Sequence, residues 1–362
     1  MKEKDLISGK ESQGFNYGLA LLRIWMCFEV VIVHFKDWSG VTNDSASLIT
    51  KILLRYCFVA VPVFMLSSFA LIDVSNLAHD NSKIKHRFYR LLVPHFFWAF
   101  AYFGIYKLLF FMEVADQKVG ISELVIQLLT GHSYNQTEWF QIELIVLTSF
   151  YIVIFRLLSK QIALGFTIFI GCLALFLQYS GVNGTLFENV LMHECFQHVY
   201  AKVLIGRLVE MIPYSSLGIV FCNYNVLNKL KEEWENTIIG AAMLLLLLLK
   251  YPVFVEIERH YSYSGIAYIA FSVVSIMFFY CLPLSWLPNA VKLFIRFLGR
   301  YTMAVYFIHR LIGTLLYHTS MKTLLGLKIG SLYDCIIIFV FSIMSAWLIE
   351  RIPIKIVKDS VK

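Results

Sequence analysis

The sequence predicts an all-α, polytopic membrane protein of about ten transmembrane helices with both termini on the cytoplasmic side. Three observations carry that prediction. The 362 residues are 59% hydrophobic and 15% charged, with a mean hydropathy of +0.70, against roughly 25% charged in soluble globular chains. Apolar runs recur at close to the about 20 residues that a bilayer-crossing helix needs. Lys and Arg alternate between rich and poor connecting segments, the pattern that membrane insertion imposes.

In chain order, residues 1–17 are polar and form a cytoplasmic N-terminal segment. The first apolar run has no small-residue cleavage pattern behind it, so the first span is expected to remain as an anchor. Spans are predicted near 18–37, 51–73, 91–112, 138–158, 161–180, 202–222, 237–254, 262–284, 301–318 and 331–350. The sixth contains Arg207, Glu210 and Pro213; the seventh is short and centres on the leucine run 244–249. Segments 113–137 and 181–201 each have room for a half-helix. In the first, VGISELVIQLL sets Val119, Leu124, Val125 and Leu128 on one apolar face of an interfacial helix. Residues 18–350 thus read as one membrane domain, and 351–362 as a basic cytoplasmic tail.

Orientation follows from the flanks. Segments 1–17, 74–90, 156–161, 223–236, 285–300 and 351–362 hold eighteen Lys and Arg residues, against five to seven in the opposite loops. The eighteen belong inside. The net charge of +7 has the same origin, so it implies no nucleic-acid partner. Among seven cysteines only Cys195 falls in an external loop, and no disulfide framework or CxxC metal pair is present. His132, His193 and His198 lack convincing ligand spacing, so no metal is expected. There is no GxxxxGK[ST] for a nucleotide-driven pump and no visible internal repeat for an inverted-repeat transporter.

Ionisable side chains inside a span are expensive and mark candidate sites. The first span holds Arg23, Glu29 and His34. Eleven residues advance an α-helix by about three turns plus 20° and about 16 Å, so Arg23 and His34 share a face, with Cys27, Val30 and Val31 between them and Glu29 elsewhere. A cation at the inner end and an acid–base group at the outer end line one seam. Two readings fit: a functional seam, or an arginine snorkelling to lipid phosphate with a histidine in the interface.

An Arg, ten residues and a His in the first span resemble the hallmark of the family-3 membrane acyltransferases, which O-acylate sugars and lipids. Further strings match in order. VPVFMLSSFALI at 61–72 is similar to the family's apolar Phe-x-x-Ser-Gly-Phe run, with Ser68 where the family usually has Gly, a departure that bears on helix packing and has no chemistry attached. KHRFYRLLVPHFFW at 85–98 resembles the Arg-x-x-Arg segment leading to Pro, through Arg87, Arg90 and Pro94. EWFQIELIVLTSFY at 138–151 resembles the Trp-x-x-x-Glu element, through Trp139 and Glu143. FLGRYTMAVYFIH at 297–309 resembles the Leu-Gly-Arg and Tyr-x-x-His ending, through Tyr306 and His309.

The resemblance implies an acyltransferase-3-like domain over 18–350 that moves an acyl group, most often acetyl, from acyl-CoA on the cytoplasmic side to a hydroxyl of a cell-surface polysaccharide or its lipid-linked precursor. The plasma membrane is the implied location. Arg23, Arg87 and Arg90 are the expected donor-phosphate ligands. His34, whose side chain titrates at about 6.5 when unperturbed, is the expected general base, with an acyl-histidine relay as the other route. Glu143 is expected to orient His34, to bind acceptor hydroxyls, or to pair with Arg207, Lys107 or Arg310. Trp139, Tyr306 and His309 are expected near the acceptor or as packing contacts. A transporter or flippase of a polysaccharide or lipid intermediate is the competing reading.

Overall fold

The computed structural model describes residues 15–35, 59–111, 119–131, 138–180, 199–230, 233–257, 266–318 and 332–361. Among them the regular structure is entirely helical. Each predicted span corresponds to a helix: α1 Tyr17–Phe35, α2 Ala60–Ala70, α4 Asn81–Phe111, α6 Trp139–Leu157, α7 Lys160–Ser180, α8 Val199–Asn223, α10 Trp234–Ile257, α11 Ile266–Cys281, α12 Asn289–His318 and α13 Leu332–Glu350. Short helices connect them: α3 Val74–His79, α5 Ile121–Thr130, α9 Val226–Leu230 and α14 Lys355–Asp359. Six helices, α1, α4, α6, α7, α8 and α13, are long and apolar enough to cross a membrane on the described residues. Ala60–Ala70, Trp234–Leu247 and Tyr268–Cys281 are shorter apolar stretches.

The outward faces fit a hydrocarbon solvent. Ile162, Phe166, Phe169 and Phe176 of α7, and Ile238, Ile239, Leu245 and Leu246 of α10, are exposed, an apolar surface that a soluble monomer rarely carries. Inside, small residues bring helices together. A Cβ on Gly218 of α8 would lie 2.6 Å from the Leu66 carbonyl oxygen and 2.9 Å from the Ala70 nitrogen of α2. Buried polar groups are tied across helices, as where Tyr151 of α6 meets the Ser215 and Ser216 hydroxyls of α8 at 3.0 and 2.9 Å.

Helix α1 lies along α12, with Gly299 near Ala20, the Cys27 thiol donating to the Thr302 carbonyl at 3.1 Å, His34 beside His309, and Gly313 against Phe35. Position rises along both helices together, so they run in the same direction. By the same test α4 runs with α12: Trp98 stacks on Phe307, Tyr102 donates to the Phe307 carbonyl at 2.5 Å, and the Leu311 amide donates to the Tyr102 hydroxyl. Helices α10 and α11 are antiparallel, joined by Thr237 donating to the Cys281 carbonyl at 2.8 Å, with Gly240 against Phe278.

Four elements depart from the sequence expectation. Helix α4 starts ten residues before the predicted third span and α12 twelve before the ninth. The apolar runs mark only the spanning parts; upstream, NSKIKHRFYR and NAVKLFIRFLGR contain no proline and carry long side chains compatible with a helix. Asp80 starts α4 by accepting from the Ser82 and Lys83 amides, and Pro94 sits within the helix. Helix α5 forms where an interfacial helix is predicted, but its inward face holds Val119, Leu124 and a fully buried Gln127, while Val125 is exposed. Gln127 donates to Glu138 at 3.1 Å, and the Leu128 carbonyl bonds His95 at 3.0 Å, so buried polar partners, absent from a hydrophobicity pattern, set its rotation. Gly131 ends it at φ +67°, with its amide bonded to the Gln127 carbonyl. Last, within the basic tail residues 351–356 are exposed while Ser360 and Val361 are buried against the body of the protein.

Residues 1–14, 36–58, 112–118, 132–137 and 181–198 lie outside the described residues. With them fall His132, His193, His198, Cys195, most of the predicted half-helix at 181–201 and the start of the second span.

Candidate functional site

Helices α1, α2, α4, α6 and α12, together with α14, enclose a cavity of about 1150 Å³, larger than the roughly 300–1,000 Å³ usual for small-molecule sites. Its mouth is strongly cationic. Arg23, Lys85, Arg87, Arg90, Arg300 and Lys355 line it, with Asp359 the single carboxylate in the wall. The extra length of α4 and α12 creates this mouth. Lys85, Arg87 and Arg90 all belong to the part of α4 that precedes the apolar run, and Arg300 to the corresponding part of α12.

Neighbouring groups hold several of these charges in place. Arg87 donates to the Ser68 hydroxyl at 2.9 Å. The Ser68 departure therefore does bear on the site: its hydroxyl supplies the acceptor that positions an arginine of the cavity wall. Arg300 is paired with Glu350 at the end of α13, and Tyr301 donates to the other Glu350 oxygen at 2.6 Å. Arg23 is exposed into the cavity and lies within electrostatic reach of Arg90. The geometry thus gathers the three sequence-predicted donor ligands in one space. It adds Lys85, Arg300 and Lys355, which the sequence reading missed. Their signal was the basic density of 74–90, 285–300 and 351–362, which had been spent on topology alone.

Phe64, Phe140, Leu144 and Tyr306 form an apolar part of the cavity wall. Tyr306 meets Phe140 edge-on at 5.9 Å between ring centroids and lies 6.4 Å from His309. His309 in turn lies 5.1 Å from the His34 ring at an interplanar angle of 34°. Tyr306 therefore stands between the cationic chamber and an imidazole pair. The His309 Nδ1 is 3.0 Å from the Val305 carbonyl. A carbonyl only accepts, so Nδ1 carries the hydrogen, and in the neutral ring Nε2 is left as a lone-pair acceptor. That Nε2 is buried without a hydrogen-bond partner among the described residues. His34, by contrast, is exposed at its edge of α1.

Glu143 is fully buried, and neither carboxylate oxygen has a hydrogen-bond partner among the described residues. The charges acting on it are Arg207 and Glu210 of α8, whereas those acting on His34 are His309 and Arg310 of α12. Glu143 thus belongs to a separate polar spot, and of the expected partners it is Arg207 whose charge acts on it, with no ion pair between the two among the described residues. Arg207 bonds Glu210 at 3.0 Å and lies over the Trp139 ring at 5.0 Å. Trp139 and Glu143, four residues apart, share the α6 face that carries this spot, while Phe140 and Leu144 turn into the cavity. Among the described residues no three His, Cys, Asp or Glu side chains cluster as metal ligands.

A family model described as an acyltransferase domain matches residues 16–351, nearly the whole chain. No curated protein and no solved structure matches it.

Proposed function

The chain belongs to the acyltransferase-3 family, and from that premise we propose that it is an integral-membrane O-acyltransferase that takes an acyl group, acetyl in the first instance, from acyl-CoA. The acceptor is a hydroxyl of a cell-surface polysaccharide or its lipid-linked precursor, and the enzyme sits in the plasma membrane. Ten spans with both termini inside put the cationic mouth on the cytoplasmic side, where acyl-CoA is made. The shared direction of α1, α4 and α12 supports that arrangement, since the first, third and ninth spans of an alternating chain all run one way.

The observation that carries the proposal is the set of six cations in the cavity wall, with Tyr306, which we take as an aromatic neck, in the same wall and the His34–His309 pair next to it. A CoA thioester has the same order of parts. Its phosphates suit Arg23, Arg87 and Arg90, its narrow pantetheine arm suits the neck, and its thioester then reaches His34. As the acceptor oxygen attacks the thioester carbonyl, His34 removes the hydroxyl proton. The C–S bond breaks, the ester forms, and the thiolate leaves and takes up the proton as CoA thiol. His309 positions the His34 ring by the ring contact at 5.1 Å between centroids. Glu143 and Trp139 serve the acceptor side, where a buried carboxylate beside an aromatic ring suits a sugar hydroxyl.

The test is transfer by the purified protein in liposomes, with labelled acetyl-CoA on the cytoplasmic face and a glycan or glycolipid acceptor. Labelled ester and free CoA thiol are expected together, and both are lost in His34→Ala. Passage of a glycolipid across the bilayer with no ester and no CoA release would instead assign the chain as a flippase.

A further inference from the structure

The family domain ends at residue 351, yet the chain beyond it is built into the cavity. After α13 the backbone turns, forms α14, and brings Lys355 and Asp359 into the wall of the cationic mouth. A solvated basic tail would leave its last residues exposed. Here Ser360 and Val361 are completely buried. The Trp98 indole N–H donates to the Ser360 carbonyl at 3.1 Å, and the Tyr89 hydroxyl donates to the Asp359 carboxylate at 2.9 Å. Both anchors come from α4, the helix that carries Lys85, Arg87 and Arg90, so the tail is pinned across the arginine cluster. Its own acid is occupied by Tyr89, and its lysine is exposed on the cavity side.

We propose that this C-terminal strap is part of the donor site, with Lys355 a ligand for a phosphate at the nucleotide end of acyl-CoA, opposite the α4 arginines. The inference rests on the donor reading given above. Chemistry favours it over a purely structural tail. Six cations gathered around one cavity repel one another, and an anion with several charges relieves that repulsion. Pinning the strap by a buried backbone carbonyl fixes the position of Lys355 without consuming its charge. The strap therefore tunes affinity for the nucleotide half of the donor, and the acyl end beyond Tyr306 does not sense it.

The experiment is equilibrium binding of labelled acetyl-CoA to the full-length protein in detergent at low and high salt, comparing Lys355→Ala, Lys355→Arg and Arg87→Ala with the parent. Lys355 is exposed, so both substitutions preserve the fold. Lys355→Ala is expected to bind about fivefold more weakly at low salt, as for a half-exposed ion pair, with the gap closing as salt screens the mouth and Lys355→Arg restoring parental affinity. Unchanged binding by Lys355→Ala beside weakened binding by Arg87→Ala would overturn the role of the strap and leave the donor site standing. Equal losses in the alanine and arginine variants would also overturn it, because a phosphate contact is rescued by a second cation. Parental affinity in all three variants would remove the donor reading and the strap with it.

Discussion

The cationic cavity and the imidazole pair on the other side of Tyr306 are built on opposite principles. In the cavity wall charge is abundant, and two of the cations are held by neighbours: Arg87 by the Ser68 hydroxyl and Arg300 by the Glu350 carboxylate. On the other side of Tyr306 the buried His309 ring lies against the His34 ring, and the nearby charge is Arg310 of α12. The mouth attracts through several exposed charges, none of which is indispensable. The inner end depends on the position of single atoms. Recognition and chemistry should therefore fail separately, which makes the comparison open to disproof.

The largest expected effect is at the inner end. His34→Ala should lower turnover by about 10²- to 10⁴-fold, the range for a general base, while acetyl-CoA affinity stays near that of the parent; parental turnover would remove His34 from the chemistry. Next is the mouth. Arg23→Ala should weaken acetyl-CoA binding by about 10- to 100-fold, the value of a hydrogen bond to a charged group, with turnover at saturating donor much less affected. A fall in turnover alone would move Arg23 to the chemical step. His309→Gln sharpens the assignment of the inner pair: loss of one positioning contact should cost about tenfold in turnover with no change in donor affinity. The smallest effect tests the least obvious residue. Ser68→Gly should weaken donor binding about threefold by releasing Arg87, and unchanged binding would show that Arg87 holds its place without the hydroxyl.

Much of this architecture was legible in the sequence because the bilayer enforces it. Apolar runs located every helix predicted as a span, and helical spacing put Arg23 and His34 on one seam of α1. That seam faces α12, bringing His34 to His309. Tyr306, expected near the acceptor or as a packing contact, lines the cationic cavity and lies 6.4 Å from His309 between ring centroids. What stayed hidden has a common cause. Hydropathy bounds a helix by its apolar run, but α4 and α12 begin earlier with charged turns, and those turns carry Lys85 and Arg300. Lys355 and Ser68 join the site through long-range contacts that no local pattern encodes. Glu143 was set among three possible cations, and only the packing of α6 on α8 selects Arg207.

The most direct test of the division between mouth and inner end is acetyl-CoA affinity measured side by side for Arg87→Ala/Arg90→Ala and for His34→Ala. The account predicts a loss of at least about tenfold in the arginine double variant, for two charged contacts, and parental affinity in the histidine variant. Equal affinity in both would contradict it.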